Sequence, residues 1–411
     1  MLDVLEMIDL KLVHEIHTSE RHSFRGCRRR WDWLFRQNYY PLVTPKYFEF
    51  GTAFHAGMEK YYAPDTWRFP RKTIADLAVV EFVKVCEEQK AEAEKLGQRL
   101  YLDDDIEADY AERVELGKGM LKYFFTKVAP KEDHGWKPVK VEIAFMVPIP
   151  NPETGEAVMF CTCDTCWDTL SKYMQENRDK NLPSVVRDEW QGLPVVYAGR
   201  IDMLIQDEHG NYWIVDWKTA AQIRGDDEFL YLDDQIGSYV WALRTLGIDV
   251  KGFIYHIQRK AYPGPPARNK VRRLGRIYSV NQNQPTNYEE YKATVSVEDK
   301  EAYEEGLYDE HLEWLREQGT VFYSRHQIHK TAHEVQEIEY NIGLEALDML
   351  DPGLRIYPSS GRFSCTSCAF RQPCLGKNAG EDYEYTLKTM FEKREHYYLR
   401  KRPTTDSKGG E

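Results

Sequence analysis

The sequence predicts an α/β protein in which a central mixed β-sheet is flanked by helices. Its segments follow the order helices, strands, helix, strand, helices, an order that wraps a sheet in helical layers. The strongest local pattern is a β-hairpin in the middle of the chain. With 411 residues, 42% of them hydrophobic and 30% charged, the chain can form one large domain with insertions or two domains.

The N-terminal third is predicted to be helical. Residues 1–50 are aromatic-rich up to a turn between Pro41 and Pro45, residues 51–62 begin a helix, and residues 74–128 are long, charged and nearly free of Gly and Pro. We expect a single domain over residues 1–402, divided into an N-terminal helical segment (1–50), a helical insertion (56–135), a core (137–260) that contains an insertion (150–194), a helical and cysteine-containing region (297–376), and a disordered tail (403–411).

The predicted core contains the β-rich runs. Residues 137–149 alternate and are β-branched, and residues 194–206 and 211–220 flank a turn at Asp207–Gly210. Helical spacing returns over residues 233–246 and stops at Gly247. The remaining predictions are a strand at 250–259, a loop at 262–270, and helices at 297–317 and 325–350.

Charge and hydropathy restrict the class of protein. The chain lacks a run of eighteen apolar residues, and its first residues carry acids where a signal peptide needs bases, so we expect a cytoplasmic protein without a membrane partner. The net charge of −12 argues against nucleic acid when taken alone. One stretch nevertheless favours a nucleic-acid partner. Residues 251–280 contain no acidic residue and eight basic ones: Lys251, Arg259, Lys260, Arg268, Lys270, Arg272, Arg273 and Arg276. Such a run is either a solvated loop or a contact surface for phosphates.

Two acids and a lysine converge on the predicted hairpin. Asp216 and Lys218 are two residues apart on one strand, so their side chains share a face, and Asp202 lies on the partner strand. Carboxylates suit Mg²⁺ or Mn²⁺, which can polarise a phosphate and generate a hydroxide nucleophile. A lysine can orient water and offset the charge of a phosphorane. The alternative is a surface Asp–Lys pair, but acids at the end of a buried strand cost desolvation unless something binds there.

These motifs resemble the PD-(D/E)XK nucleases, in their RecB-like exonuclease branch. The segments Gly199–Asp202 and Ile214–Thr219 match the central motif, and Gly51–His55 matches the upstream motif whose histidine is a metal ligand. The resemblance implies a restriction-endonuclease-like core, with His55, Asp202 and Asp216 as metal ligands. It also implies that Gln235 and Tyr239 support the site and contact DNA, and Glu142 is a further candidate acid near the metal.

Four cysteines near the two ends of the chain form a second motif. Cys365, Cys368 and Cys374 leave a metal site one ligand short, and Cys27 can supply the fourth. The layout resembles the iron–sulfur nucleases of the same superfamily, AddB-type nucleases among them, and this resemblance implies a [4Fe–4S] clasp that joins the N- and C-terminal regions. Four thiolates also suit zinc. Such a clasp closes a loop of about 340 residues and could contribute roughly 5–6 kcal/mol by chain-entropy reasoning.

The cysteines left over are a separate question. Cys161, Cys163 and Cys166 could begin a zinc site but lack an obvious fourth ligand, and Cys86 lies in a helical pattern and is expected to be buried.

Taken together, the motifs predict a metal-dependent DNA nuclease that acts on ends or single strands in phage or prokaryotic recombination, repair or DNA processing. The basic residues from Arg259 to Arg276 would contact DNA. The chain lacks a phosphate-loop motif, so a separate helicase or recombinase would do any unwinding. The alternatives are a catalytically silent DNA-binding or assembly module that keeps the metal cluster, and a zinc-stapled protein unrelated to nucleic acid.

Overall fold

The computed structural model describes residues 14–42, 47–95, 104–160, 194–223, 225 and 227–394. Within these ranges the elements that precede the long strands are β1 (His14–Ile16), α1 (Thr18–Gly26), α2 (Arg28–Trp31), a π-helical continuation (Asp32–Arg36), β2 (Tyr39–Pro41), α3 (Tyr47–Tyr62), a short 3₁₀ turn (Pro64–Thr66), α4 (Arg71–Lys95), α5 (Asp104–Tyr123), a π-helical segment (Phe124–Val128) and α6 (Ala129–Glu132).

The central elements are β3 (Lys137–Pro148), β4 (Val195–Gln206), β5 (Tyr212–Ala220), a 3₁₀ helix (Asp227–Leu232), α7 (Asp234–Thr245) and β6 (Val250–Arg259). The C-terminal elements are β7 (Arg268–Arg273), β8 (Arg276–Tyr278), α8 (Tyr288–Glu298), α9 (Lys300–Glu304), α10 (Asp309–Gln318), β9 (Tyr323–Ile328), α11 (Ala332–Leu350), α12 (Arg362–Thr366), α13 (Arg371–Ala379), α14 (Tyr383–Met390) and β10 (Phe391–Lys393).

Six strands form one mixed sheet, which confirms the predicted α/β class. β3 runs antiparallel along the whole of one edge of β4. The other edge of β4 is shared, because β1 pairs with it in parallel at residues 195–197 and β5 pairs with it antiparallel at residues 203–206. β6 then joins β5 in parallel, and β9 closes the edge antiparallel to β6.

Helices cover both faces of the sheet because the strands alternate their apolar side chains. On β5, Trp213, Val215 and Trp217 pack into one apolar cluster with residues of α3, α4 and α5. Ile214 points the other way and packs with residues of α7 and α11. A sheet that is apolar on both faces requires a helical layer on each side, so these two layers account for most of the buried core.

The hairpin and its neighbours agree closely with the sequence prediction, and other elements differ. β1 and β2 are strands inside a segment predicted to be helical, and each has three residues, which is too short for a periodic pattern to show. β9 lies where a helix was predicted from residue 325, and α11 begins at Ala332 with a capping box between Thr331 and Glu334. β7 begins inside the predicted loop 262–270.

Two further predictions of the domain plan meet the structure only in part. α3 is a continuous helix across residue 56, where the helical insertion was predicted to begin. Residues 161–193 of the predicted insertion, with Cys161, Cys163 and Cys166, and the predicted tail 403–411 lie outside the described residues. Cys86 is buried in α4, as expected. None of the helices in the described ranges combines the length and the hydrophobicity needed to cross a bilayer.

A buried arginine ties three distant helices together. The guanidinium of Arg21, on α1, has no exposed surface and lies 2.7 Å from Asp234 of α7 and 2.7 Å from Glu345 of α11. Arg25 reaches the same two carboxylates, at 2.7 and 2.9 Å, but its side chain is 41% exposed. The two arginines therefore make the same contacts in different dielectric surroundings.

We expect Arg21→Ala to lower the free energy of unfolding by about 3–5 kcal/mol, because it leaves two carboxylates without their buried partner. Arg25→Ala is the matched control and should cost less than about 1 kcal/mol, since solvent screens its ion pairs. Urea denaturation monitored by tryptophan fluorescence measures both. Equal losses in the two variants would contradict the role of burial.

Candidate active site

The candidate site lies where β4 and β5 separate. Their antiparallel ladder ends at the pair Met203–Val215, and the next two residues in register are Asp202 and Asp216. Beyond this point β5 pairs only with β6, and the corresponding edge of β4 meets no strand until β1 at residue 197. The two acids therefore line an opening in the sheet.

A third acid extends this row across the sheet. On β3, Val141 pairs with Met203 and Ile143 with Ile201, so Glu142 lies opposite Asp202. Glu142 has a φ of +48°, a value that non-glycine residues rarely adopt and that occurs mostly where surrounding structure imposes it. The burial of Glu142 and the charge of Asp202 raise the pKa of the Glu142 carboxyl. Three acids in one register row repel one another unless cations compensate them.

One cation-binding group is formed by His55 together with two of these acids. A ligand nitrogen of His55 and carboxylate oxygens of Glu142 and Asp202 all lie within 4.8 Å of one another. His55 Nε2 lies 2.6 Å from the Trp217 carbonyl oxygen, which can only accept, so Nε2 carries the hydrogen. Nδ1 faces Asp202 Oδ1 at 3.4 Å. The carbonyl thus fixes the ring with Nδ1 toward the acids, which is how metal-binding histidines are usually held.

Asp202 also provides a hydrogen-bond partner for the backbone where the β4–β5 ladder ends. Its Oδ2 accepts a hydrogen bond of 2.9 Å from the Trp217 backbone N–H, a donor that would otherwise face the opening between the strands. Its Oδ1 remains directed at His55. Burial alone would lower the pKa of His55, but the hydrogen bond and charge of Asp202 raise it above its ordinary value. A proton on His55 therefore balances Asp202 when no cation does.

Asp216 lies deeper and is held differently from the other two acids. It is 2% exposed, and the Lys218 Nζ lies 2.7 Å from its Oδ2 and 3.0 Å from its Oδ1. The Gln235 amide donates to Oδ1 at 3.4 Å. Burial raises the pKa of Asp216, although the charge of Lys218 opposes that rise. Asp216 lies outside the group within 4.8 Å that His55, Glu142 and Asp202 form.

Lys218 is a permanent cation at this site. Burial alone would lower its pKa, but the charges of Asp216 and Asp202 and the hydrogen bond from Lys218 to Asp216 raise it above its ordinary value. A lysine in this state cannot remove a proton at neutral pH, but it can supply positive charge and a hydrogen bond. Its side chain is 34% exposed, so its ammonium group can be reached from outside.

α7 covers the site from one side. Asp233 caps the helix by accepting hydrogen bonds from the backbone of Gln235 and Ile236, which starts the helix with Gln235 directed at Asp216. Tyr239 follows one turn later and is 7% exposed. Its burial, then the charge of Asp216, raise the pKa of Tyr239. The helix therefore positions the predicted glutamine and tyrosine next to the acids.

The row contains one tyrosine that sequence reasoning did not identify. Tyr255 of β6 lies in register with Asp216, and burial raises its pKa to about 12. No sequence pattern marked Tyr255 as a site residue, because an aromatic residue in a strand usually packs in the core. Glu142 was identified as a candidate only through the resemblance. Its position opposite Asp202 depends on the register of β3 against β4, which no local pattern specifies.

The residues present suit a divalent cation. Hard carboxylate oxygens with one imidazole nitrogen are a ligand set for Mg²⁺ or Mn²⁺. The buried Oδ2 of Asp216 contacts Lys218 but accepts no well-aligned hydrogen bond in the described structure, which leaves it able to bind a further positive group. The net excess of acid over base among these side chains points the same way.

The predicted DNA-contacting bases occupy two places. Arg259 and Lys260 follow the end of β6, where the Lys260 N–H donates to the carbonyl of Ala220, two residues beyond Lys218. The other bases lie on the β7–β8 hairpin and comprise Arg268, Lys270, Arg272, Arg273 and Arg276. The first pair therefore adjoins the acid row, and the second set extends from it on a separate hairpin.

The four cysteines of the second sequence motif line one cavity. Cys27 from the α1–α2 junction faces Cys365, Cys368 and Cys374 from α12, α13 and their connection, beside Trp33 and Phe370. The Ser359 N–H lies 3.4 Å from the Cys27 sulfur, and Arg29 Nη1 lies 3.4 Å from the Cys374 sulfur. In the described residues, no three of these sulfurs lie within 4.8 Å of one another.

A comparison with protein families finds a match that includes all of these residues. The family model described as the PD-(D/E)XK nuclease superfamily matches residues 18–375. The matched range begins with α1 and ends in α13, so it contains all three acids, His55, Lys218 and the four cysteines. The comparison with curated proteins gives no match.

We expect Glu142→Gln to weaken Mn²⁺ binding at least about tenfold, because the affinity of carboxylate sites depends on the charge of their ligands. Titration calorimetry, or the rise of melting temperature with Mn²⁺ concentration, measures the change. Glu153→Gln removes an exposed carboxylate in a turn and is the control. Equal affinity for Glu142→Gln and the unaltered protein would exclude Glu142 as a ligand.

Proposed function

Because this chain belongs to the PD-(D/E)XK nuclease superfamily, we propose that it is a metal-dependent DNA exonuclease of the RecB-like branch. We assign it to ends or single strands of DNA, in phage or prokaryotic recombination, repair or DNA processing. The single observation that carries the proposal is the row of Glu142, Asp202 and Asp216 beside the partly exposed, protonated Lys218 at the opening of the sheet.

His55, Glu142 and Asp202 would hold the cation, and Asp216 would support it from the deeper position. When bound, Mg²⁺ or Mn²⁺ supplies Lewis acidity, which polarises the scissile phosphate and lowers the pKa of water. His55 can serve as a metal ligand because its Nε2 hydrogen is already donated to the Trp217 carbonyl. Nδ1, which faces Asp202, can then lose its proton and bind the cation in its place.

Lys218 would act through its charge. Its ammonium stays protonated near neutral pH, so it orients the attacking water by a hydrogen bond and offsets the negative charge that builds on the phosphorane oxygens. Gln235 also donates to Asp216, and that contact restrains the carboxylate while Lys218 engages substrate. Tyr239, one helical turn away, presents its hydroxyl beside the same acid for contact with DNA.

The RecB-like assignment is supported by the helix that carries His55. In the proposed site the histidine comes from α3, on the face of the sheet opposite α7, so the acid row is enclosed from both sides. Arg259 and Lys260 leave β6 beside the end of β5 and would receive the phosphate backbone next to the cation. Single-stranded DNA can pass through such an opening with its phosphate backbone toward Arg259 and Lys260.

We also propose that Cys27, Cys365, Cys368 and Cys374 hold a [4Fe–4S] cluster that clasps the two ends of the fold. Four cysteines that line one cavity support it, and the Ser359 N–H and the Arg29 guanidinium are directed at two of their sulfurs. The choice of an iron–sulfur cluster over a single zinc ion, which four thiolates also suit, rests on the resemblance to the iron–sulfur nucleases of the superfamily.

We expect Lys218→Ala to reduce cleavage of end-labelled DNA at least about a thousandfold with Mg²⁺ or Mn²⁺, because it removes transition-state charge stabilisation. Asp202→Ala should have a similar effect. Lys251→Ala, an exposed lysine at the other end of β6, is the matched control. Single-stranded and duplex substrates labelled at either end give polarity in the same gel. Full activity in Lys218→Ala would refute the assignment, and stable binding without product in the unaltered protein would favour a silent module.

Protein purified without oxygen should contain about four iron atoms per chain with matching acid-labile sulfide. Cys368→Ser should lose most of that iron and unfold at a lower temperature, because the clasp restrains the unfolded chain. Cys86→Ser alters a buried cysteine in α4 and should retain the iron. About one zinc per chain without iron would show a zinc staple instead.

A further inference from the structure

A separate module interrupts the sheet between β6 and β9. It has its own apolar core, formed by residues of β8, α8, α9 and α10: Tyr278, Tyr291, Val295, Ala302, Tyr308, Leu312 and Leu315. The two-stranded β7–β8 hairpin packs on this core through Tyr278 of β8. A module with its own core can present the hairpin in a fixed orientation, independent of the acid row.

The tip of the hairpin carries an unusual residue. Arg273 and Arg276 pair across the turn, and the two residues between them, Leu274 and Gly275, have φ values of +49° and +78°. Turns of two residues with positive φ normally contain Asn-Gly or Asp-Gly, because a branched apolar side chain is strained there. Leu274 nevertheless occupies this position and is 76% exposed. Val271, three residues earlier, is 75% exposed.

The hairpin that carries these apolar tips is basic, and its Arg272 is paired with Asp299 and Glu301 of the module. Arg268, Lys270, Arg272 and Arg273 are all exposed, and the sequence from 251 to 280 has no acid. Two apolar side chains among guanidinium groups do not suit an apolar protein partner or the core of a bilayer. They suit the end of a nucleic-acid duplex, where phosphates flank apolar base faces.

The turn end of the hairpin is fixed to the module by one buried carboxylate. Asp299, 3% exposed, accepts hydrogen bonds from Arg272 Nη2 at 2.7 Å, the Ile277 N–H at 2.8 Å and the Tyr308 hydroxyl at 2.6 Å. The Tyr308 oxygen in turn accepts from the Tyr278 N–H at 3.0 Å. These contacts hold both strands next to the turn, and Arg276 Nη1 also donates to the Leu307 carbonyl at 3.0 Å, so the turn is fixed on the module while the Leu274 side chain stays exposed.

The module is attached beside the proposed active site. The Lys260 N–H donates to the Ala220 carbonyl, and Ala220 is two residues past Lys218 on β5, a rise of about 7 Å along a strand. Arg259 and Lys260 therefore connect the end of the acid row to the module that follows them in the chain.

We propose that the β7–β8 hairpin is a strand-separating wedge for duplex DNA ends, with Leu274 as its tip. Leu274 inserts against the terminal base pair, the hairpin arginines hold the phosphates of the two strands, and one freed strand passes to the acid row. The inference rests on the proposed nuclease function and extends it to a substrate form. It uses binding energy alone and opens only the pairs at the end of the duplex.

The test uses Leu274→Asn in the full-length protein. Asparagine fits a positive φ better than leucine does, so this variant keeps or improves the turn while it removes the apolar tip. Val297→Asn is the control, because Val297 is equally exposed, at 77%, on α8 of the same module. The first readout is the fluorescence of 2-aminopurine at the end of a duplex, measured in EDTA so that the DNA is not cut.

We expect the unaltered protein and Val297→Asn to raise this fluorescence, and Leu274→Asn to lose most of the rise, about fivefold or more, because contact with the base is removed. In Mn²⁺, the ratio of duplex to single-strand cleavage should fall about tenfold in Leu274→Asn. No fluorescence rise with the unaltered protein, or an undiminished rise with Leu274→Asn, overturns the wedge. If the unaltered protein cleaves neither substrate, the nuclease function is overturned. The fluorescence result alone then decides whether the hairpin acts as a wedge.

Discussion

β4 pairs with two different strands along a single edge, and the gap between those strands determines the arrangement of the site. β1 occupies residues 195–197 of that edge and β5 occupies residues 203–206. Polar backbone groups in the gap need partners, because an unpaired buried amide or carbonyl is costly. His17 Nδ1 donates to the Ala198 carbonyl, and Asp202 accepts from Trp217. The side chains that satisfy the gap therefore include one that also faces the proposed cation.

The charges of the site are balanced by position rather than by number. Lys218 contacts the most buried acid, and His55 contacts the acid nearest the opening. Arg200 donates to Glu142 at 3.2 Å, but its own side chain is 67% exposed, so solvent screens that pair. The outer end of the row thus retains the largest uncompensated negative charge, which is where a cation would enter.

Local patterns were sufficient for the parts of the fold that depend on neighbours in sequence. The β4–β5 hairpin, α7 and β6 follow from alternation, turn residues and helix spacing, so Asp202, Asp216 and Lys218 could be placed before the structure was known. β9 could not, because the polar residues from Ser324 to Gln327 sit on an edge strand and give no apolar alternation. The φ of Glu142 and the wedge-like position of Leu274 depend on tertiary register and on a turn of two residues, and neither is visible in composition.

The contacts that close the structure join residues made early in synthesis to residues made late. His17 meets a partner 181 residues later, Arg21 meets Glu345 across 324 residues, and Cys27 meets Ser359 across 332. A ribosome that adds about 5–20 residues each second must make residues 345 and 359 before the last two of these contacts can form. Arg21 and Cys27 therefore lack these partners until α11 and the segment around Ser359 have been made. The contacts of α1 with the C-terminal helices are therefore among the last that the fold can form, whereas β1 can pair with β4 once residue 197 has been made.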